Sequence, residues 1–335
     1  MISTLEDLGL SDFFLEAGRS FMATFPPEAR AELEMGRVVG VERATFQVWT
    51  ANGPTEALLA GTLRQSGSEL LTQPVIGDWL VVQHLAAGSA LRIVHVLPRR
   101  TTFARAVNSG LSEQIIAANV DVVFIVTTPG EDFDVSRLGR YVAAVQTSGA
   151  RPVVLLNKTD LIEDAALFVE QIKTLALDLP VHEVAATSEY GLDAVRPYFQ
   201  KGVTVALIGS SGVGKSTLTN ALLGREAAVT GLIRQSDQQG RHTTTGRTLY
   251  PLPGGGLLID NPGLRDIAVW DAAGRPSGFE VIEETAANCR FRKCTHTTEP
   301  GCAVKRAVQQ GTISAETLTA YHQAQGLSTR RPKRR

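Results

Sequence analysis

Four short stretches of this 335-residue chain combine residue types and spacings that do chemistry. The first is Gly209-Ser210-Ser211-Gly212-Val213-Gly214-Lys215-Ser216-Thr217. It follows the apolar run "VTVALI" and precedes the helical pattern "TLTNALL", which is the strand–loop–helix setting of a phosphate-binding loop. Glycines let the backbone wrap a phosphate with its N–H groups facing inward, and the following helix adds the positive end of its dipole. Lys215 is expected to reach β- and γ-phosphates, and Ser216 to hold Mg²⁺. Such a loop does not choose its nucleotide, since kinases, ATPases and GTPases all use one.

The second stretch is "GLLIDNPGL", with Asp260 ending an apolar run and Gly263 three residues on. Asp260 is expected to bind Mg²⁺ through water, and the Gly263 N–H to contact a γ-phosphate. The polar segment "RQSDQQGRHTTTGRTLY" (234–250) lies between the two stretches and has the composition of a switch. Thr244 or Thr245 would supply a second Mg²⁺ hydroxyl, with the choice between them open. His242 is a candidate for orienting the attacking water; the alternative is a solvated loop histidine. Leu264 stands where Ras-like enzymes carry a glutamine, and leucine cannot hold water. Slow intrinsic hydrolysis is therefore expected.

The third is Asn157-Lys158-Thr159-Asp160, at the end of "PVVLL". A carboxylate at Asp160 can accept from the N1–H and N2–H₂ edge of guanine, which adenine does not offer. Asn157 can meet the base edge and tie loops together, and the Lys158 stem can lie along the base plane. Ala186-Thr187-Ser188, after "VHEVA", resembles the loop that closes over guanine O6. The order is base reader, closing loop, phosphate loop, switch, Asp-x-x-Gly: a GTPase core whose sequence has been rotated. Rotation is tolerable where original termini lie close together at the surface.

The fourth is Cys289-x₄-Cys294-x-His296-x₅-Cys302, which contains all three cysteines of the chain. Three thiolates and an imidazole form a closed tetrahedral zinc site of the structural kind, with no position left for water. Arg290, Arg292 and Lys293 lie inside it and can face RNA phosphate or solvent.

These residues need a scaffold, and its texture is readable. The chain is 43% hydrophobic and 20% charged, ordinary for a globular protein, and two or three domains are expected. No apolar run is long enough for a membrane span, and the acidic start does not read as a signal peptide, so a cytoplasmic protein without membrane attachment is expected. Residues 3–33 read as amphipathic helix interrupted at Pro26-Pro27. Five short strand-like runs follow between 36 and 98, separated by turn residues, as in a small β-barrel of which the OB-fold is the commonest type. From 119 apolar runs alternate with helical stretches near 134–148, 163–177, 191–199 and 215–223, the mark of a parallel sheet covered on both faces. Two short helical stretches accompany the cysteines. Charge is uneven: seven acids against two arginines in 1–35, and ten Lys/Arg against five acids in 276–335. The basic end suggests a polyanionic partner.

Taken together, "IAANVD", "LNKTDL", "GSSGVGKST", "GRHTTT", "DNPG" and "CRFRKCTHTTEPGCAV" resemble the circularly permuted ribosome small-subunit-dependent GTPase A family over nearly the whole chain. The resemblance implies a multidomain protein: an N-terminal OB-type barrel, an α/β circularly permuted P-loop GTPase domain and a C-terminal zinc-binding domain. The corresponding boundaries here are an acidic extension 1–35, a barrel 36–98, a GTPase domain 99–272 and a zinc domain with basic tail 273–335. It implies GTP hydrolysis to GDP during late maturation of the small ribosomal subunit, with its 16S rRNA as partner and with stimulation by the subunit. A monomer is expected, with one structural Zn²⁺ and with Mg²⁺ accompanying GTP. Asn261 departs from the usual Thr or Ser of the family's D-x-P-G. The barrel carries four arginines against four acids, which moves the expected RNA contact towards the zinc region.

Overall fold

The computed structural model describes residues 2, 4–42, 45–61, 73–85, 90–107, 112–130, 133–176, 178–210, 212–227, 247–260, 282, 285–286, 288–291, 294–297, 299–310, 312–313, 318 and 321–322. They fall into two compact units, Met1–Ala104 with Ile115–Ile267, and Arg105–Gln114 with Ala268–Arg335.

The first unit opens with a short 3₁₀ turn (Glu6–Leu8), helix α1 (Asp12–Met22) and helix α2 (Pro27–Arg30). Pro27 starts α2, where a missing N–H costs nothing. The helical stretch expected over 3–33, with its break at Pro26-Pro27, is three short pieces, and strand β1 (Leu33–Glu42) already begins at Leu33. Strands β2 (Thr45–Thr50), β3 (Gly53–Leu59), β4 (Trp79–His84) and β5 (Leu91–Val96) follow. The order β1-β2-β3-β5-β4, with β4 pairing back on β1, closes a five-stranded barrel as expected. In β2 buried residues alternate with half-buried ones, the period of two that a one-sided core dictates. Val38, Val48, Leu80, Val82 and Ile93 fill the interior.

The N-terminal segment packs against the barrel at β4. Phe14 of α1 lies 5.6 Å from the ring of fully buried Trp79. Behind them Arg37 is 1% exposed. Its guanidinium donates to Leu8 O, to Gly77 O at 3.1 Å and to Asn119 O at 3.0 Å, so one side chain joins the extension, the barrel and the approach to the next sheet. Burial pulls its pKa down to about 10, which still leaves it charged at neutral pH. Asp78, also buried, takes two 2.7 Å hydrogen bonds from Arg99.

The α/β part contains β8 (Val122–Thr127), helix α3 (Val135–Thr147), β9 (Arg151–Asn157), helix α4 (Ala166–Lys173), β10 (Val181–Val184), helix α5 (Leu192–Val195), β11 (Thr204–Ile208), helix α6 (Lys215–Ala227), β12 (Arg247–Pro251) and β13 (Leu257–Asp260). Every residue of β8 and β11 is buried, the two-sided burial that a covered parallel sheet demands. The strand order is β10-β9-β8-β11-β13-β12, parallel except for β12. Beyond β12 the sheet continues into the barrel, because Thr248 and Arg247 pair with Gly40 and Val41 of β1. The sequence reading also missed a two-stranded pairing of β6 (Thr102–Val107) with β7 (Ser112–Ala118).

Around the cysteines of the second unit, the described residues include one helix, α7 (Ala303–Gln309). Ile282, Val304, Ala307 and Ile313 form its small core. Among the described residues no helix is long and apolar enough to cross a membrane.

Candidate functional site

Parallel strands present all their C-terminal ends on one edge of a sheet, which is where such folds bind ligands. Here that edge gathers Asn157 at the end of β9, Ala185–Tyr190 after β10, the glycine-rich loop after β11, and Asp260 at the end of β13. Segments far apart in sequence therefore meet because of strand order. Gly209 begins the loop at φ +139°, and a Cβ there would stand 2.2 Å from Val126 O, so only glycine lets the loop leave β11 beside β8. The chain then turns into α6 at Lys215, putting the helix N-terminus behind the loop.

The base-reading segment is bound directly to this loop. Asn157 is 1% exposed. Its Nδ2 donates to Val213 O at 2.8 Å, and its Oδ1 accepts from Ala186 N at 3.1 Å. Lys158, in the left-handed region at φ +63°, sends Nζ to Gly212 O at 2.8 Å. Thr159 Oγ1 donates to Val184 O at 3.2 Å and pins the following turn to β10. Asp160 is exposed, with Thr187 Oγ1 at 3.5 Å from its Oδ2, and Ser188 hydrogen-bonds within its own turn. An exposed carboxylate beside an asparagine held on both sides is what edge-on recognition of a base requires. Lys215 is 8% exposed and donates to Gly209 O at 2.6 Å and Ser210 O at 2.5 Å. Its ammonium thus already lies within the loop that would hold phosphate. Ser216 and Thr217 are exposed on the first turn of α6.

Ser211, His242, Thr244, Thr245, Gly263 and Leu264 lie outside the described residues. Of Asp260 the structure gives the backbone position, as the last residue of β13. The sequence reading missed the packing of Gly214 on Asn157, where a Cβ would come 2.3 Å from Nδ2. A third glycine in the loop was visible, but not the neighbour that requires it.

In the second unit, Cys289, Cys294, His296 and Cys302 come together, with one ligand atom of each within 4.8 Å of the others. Sγ of Cys289 and Cys302 are 3.8 Å apart, and Nδ1 of His296 lies 3.6 and 3.4 Å from them. Zinc bonds of the usual length in a tetrahedron separate two sulfurs by about 3.8 Å and a sulfur from a nitrogen by about 3.5 Å. The donor set and its spacing therefore fit zinc. Burial lowers the His296 pKa, which favours the neutral imidazole that a metal ligand must be. Cys302 caps α7, its Sγ accepting from Lys305 N at 3.4 Å, while Ala303 N donates to Cys289 Sγ at 3.3 Å. Backbone N–H groups at this helix N-terminus thus face the Cys289 and Cys302 sulfurs, while burial pushes the Cys294 thiol up to about 11. Glu299 accepts from Thr295 N and Oγ1 and from Thr297 N, which holds its pKa down at about 2 and fixes the turn that carries His296.

Residues 96–270 match the RsgA GTPase family. A Methanosarcina acetivorans protein named small ribosomal subunit biogenesis GTPase RsgA is 47% identical over 289 residues, covering 86% of this chain and 77% of that protein. The chain belongs to the RsgA GTPase family. It is accordingly a GTP-hydrolysing enzyme, as the loop and base reader led the sequence analysis to expect. An Opitutus terrae RsgA is 40% identical over 333 residues, covering 96% of this chain and 89% of its own length. Among solved structures, Thermotoga maritima YjeQ aligns with a TM-score of 0.53 at 24% identity, covering 89% of this chain and all of its own. The structure of YloQ, described as a circularly permuted GTPase, aligns with a TM-score of 0.51 at 22% identity over 90% of this chain and 97% of its own. These two likenesses concern the fold: a strand carrying the phosphate loop that is central in the sheet but late in sequence.

Proposed function

We propose that this RsgA-family GTPase binds the small ribosomal subunit and its 16S rRNA in the cytoplasm as a monomer, and assists late maturation of the subunit. The subunit would stimulate its hydrolysis of GTP. The observation that carries the reading is the hydrogen-bonded union of Asn157 and Lys158 with Val213 and Gly212, which couples base recognition to the phosphate loop. The names of the relatives supply the ribosomal context.

In this reading Asp160 accepts from the guanine edge, Asn157 holds the reader against the loop, and the Ala186-Thr187-Ser188 turn closes over O6. Lys215 exchanges the carbonyls of Gly209 and Ser210 for β- and γ-phosphate oxygens when nucleotide enters. The loop from Gly209 to Thr217, Ser211 included, cradles the phosphates. Ser216, Asp260 and one of Thr244 and Thr245 hold Mg²⁺, which supplies charge neutralisation on the phosphates. The Gly263 N–H meets the γ-phosphate. Leu264 leaves water unpositioned at that place, and His242 takes the task once the ribosome is bound. The four residues Cys289, Cys294, His296 and Cys302 hold Zn²⁺ as a structural element.

The test is GTP turnover by the purified chain with and without purified small subunits. Slow turnover alone and a large increase on adding subunits is the expected result. Equal rates in both conditions would refute the reading.

A further inference from the structure

Between Cys289 and Cys294 the chain runs Arg290-Phe291-Arg292-Lys293, three cations around one aromatic and no acid. Phe291 is 45% exposed. A single exposed phenylalanine is ordinary surface. This one is built in. The Arg290 guanidinium lies 5.8 Å from the centre of the Phe291 ring. The arginine is itself held: its N–H donates to Gly301 O at 3.5 Å, and its stem lies over Gly301, whose added Cβ would meet Arg290 Cβ and Cδ at 3.4 Å. Cys289, two positions before the ring, belongs to the four-residue cluster.

An exposed aromatic face beside a held guanidinium has the chemistry that takes an unstacked base and its phosphate together. A duplex cannot present a base face to such a ring. We infer that Phe291 is a stacking platform for an unpaired base of single-stranded RNA, with Arg290 stiffening the ring and meeting the adjoining phosphate. The inference rests on the ribosomal reading above for its choice of RNA, and it adds the residue and the type of RNA element.

The experiment measures binding of a short labelled oligouridylate to the zinc-loaded full chain across a salt series. A matched ribose–phosphate oligomer without bases is the second ligand. Phe291→Ala should weaken oligouridylate binding about five- to a hundredfold with an unchanged salt slope, and Phe291→Tyr should restore it. The wild type should lose a similar factor on the baseless oligomer, to which Phe291→Ala should be indifferent. Arg290→Ala should instead flatten the salt slope. Equal zinc content in all variants checks that the cluster is intact. Wild-type affinity in Phe291→Ala, or equal wild-type affinity for both ligands, overturns the platform. Turnover with small subunits is measured in parallel on the wild type. Stimulated turnover alongside base-blind RNA binding sinks the platform and leaves the ribosomal reading standing. Unstimulated turnover with Phe291-dependent base binding does the reverse.

Discussion

Replacing Gly214 by alanine asks whether base reader and phosphate loop act as one body. Gly214 has φ +97°, and its new Cβ would stand 2.3 Å from Asn157 Nδ2. Asn157 is buried and cannot swing into water, so its amide must leave Val213 O, Ala186 N or both. The strain of a positive-φ alanine is about 1–2 kcal/mol. Unmaking buried hydrogen bonds adds about 1–3 kcal/mol. Together these predict a loss of about 2–5 kcal/mol, shared between folding and GDP affinity. The two contributions separate in a cycle. Asn157→Ala removes the group that clashes, so in that background Gly214→Ala should cost only the strain. The coupling between the two substitutions should therefore be about 1–3 kcal/mol. Urea unfolding and calorimetric GDP binding of the four proteins measure it. Additive effects, within about 0.5 kcal/mol in both assays, would refute the claim that the contact transmits anything.

Two further outcomes follow from buried or tightly bonded polar groups. Arg37→Met leaves the carbonyls of Leu8 and Asn119 without this donor and Gly77 O with only Asn119 Nδ2, and should lower unfolding stability by about 2–5 kcal/mol in urea titrations. Arg37→Lys should recover only part of it, since a compact ammonium cannot span three acceptors, and an unchanged midpoint in both variants would discard the clip. Glu299 has a folded pKa of about 2, below its ordinary value of 4.5, so its contribution is present above about pH 4.5 and disappears as pH falls through about 2. Glu299→Gln should therefore speed zinc release to a chelator at neutral pH, opening a gap from wild type. A gap that is absent at neutral pH would contradict the role given to the turn.

The parts that the sequence made legible are those whose chemistry is local. Lys215 and Ser216 follow their glycines directly, Asn157 to Asp160 are consecutive, and the four zinc-ligating candidates span fourteen positions. Short alternating strands likewise announce a barrel, since each strand carries its own period. Features that depend on distant partners stayed hidden. Arg37 reads as one of four surface arginines balanced by acids, yet its acceptors lie 29, 40 and 82 residues away and the side chain is buried. Asp78 is buried as well. The β6–β7 pairing gave no signal because its strands lack a clear apolar alternation in "TFARAV" and "SEQIIAA". Nothing in "GRTLYPL" tells that β12 has a barrel strand on one side and a GTPase strand on the other.

That shared strand bears on how the protein can be dissected. A fragment beginning at residue 99 would contain every nucleotide-binding stretch and would look self-sufficient on paper. It would also bare the outer edge of β12, which normally pairs with β1 at Gly40 and Val41. An uncovered edge strand offers its backbone to any other chain and invites aggregation. The same cut would strip Asn119 O of the Arg37 guanidinium. Failure of such a fragment to bind GTP would thus report a torn sheet rather than a missing catalytic residue. A clean dissection would have to keep the N-terminal extension and barrel with the nucleotide-binding half.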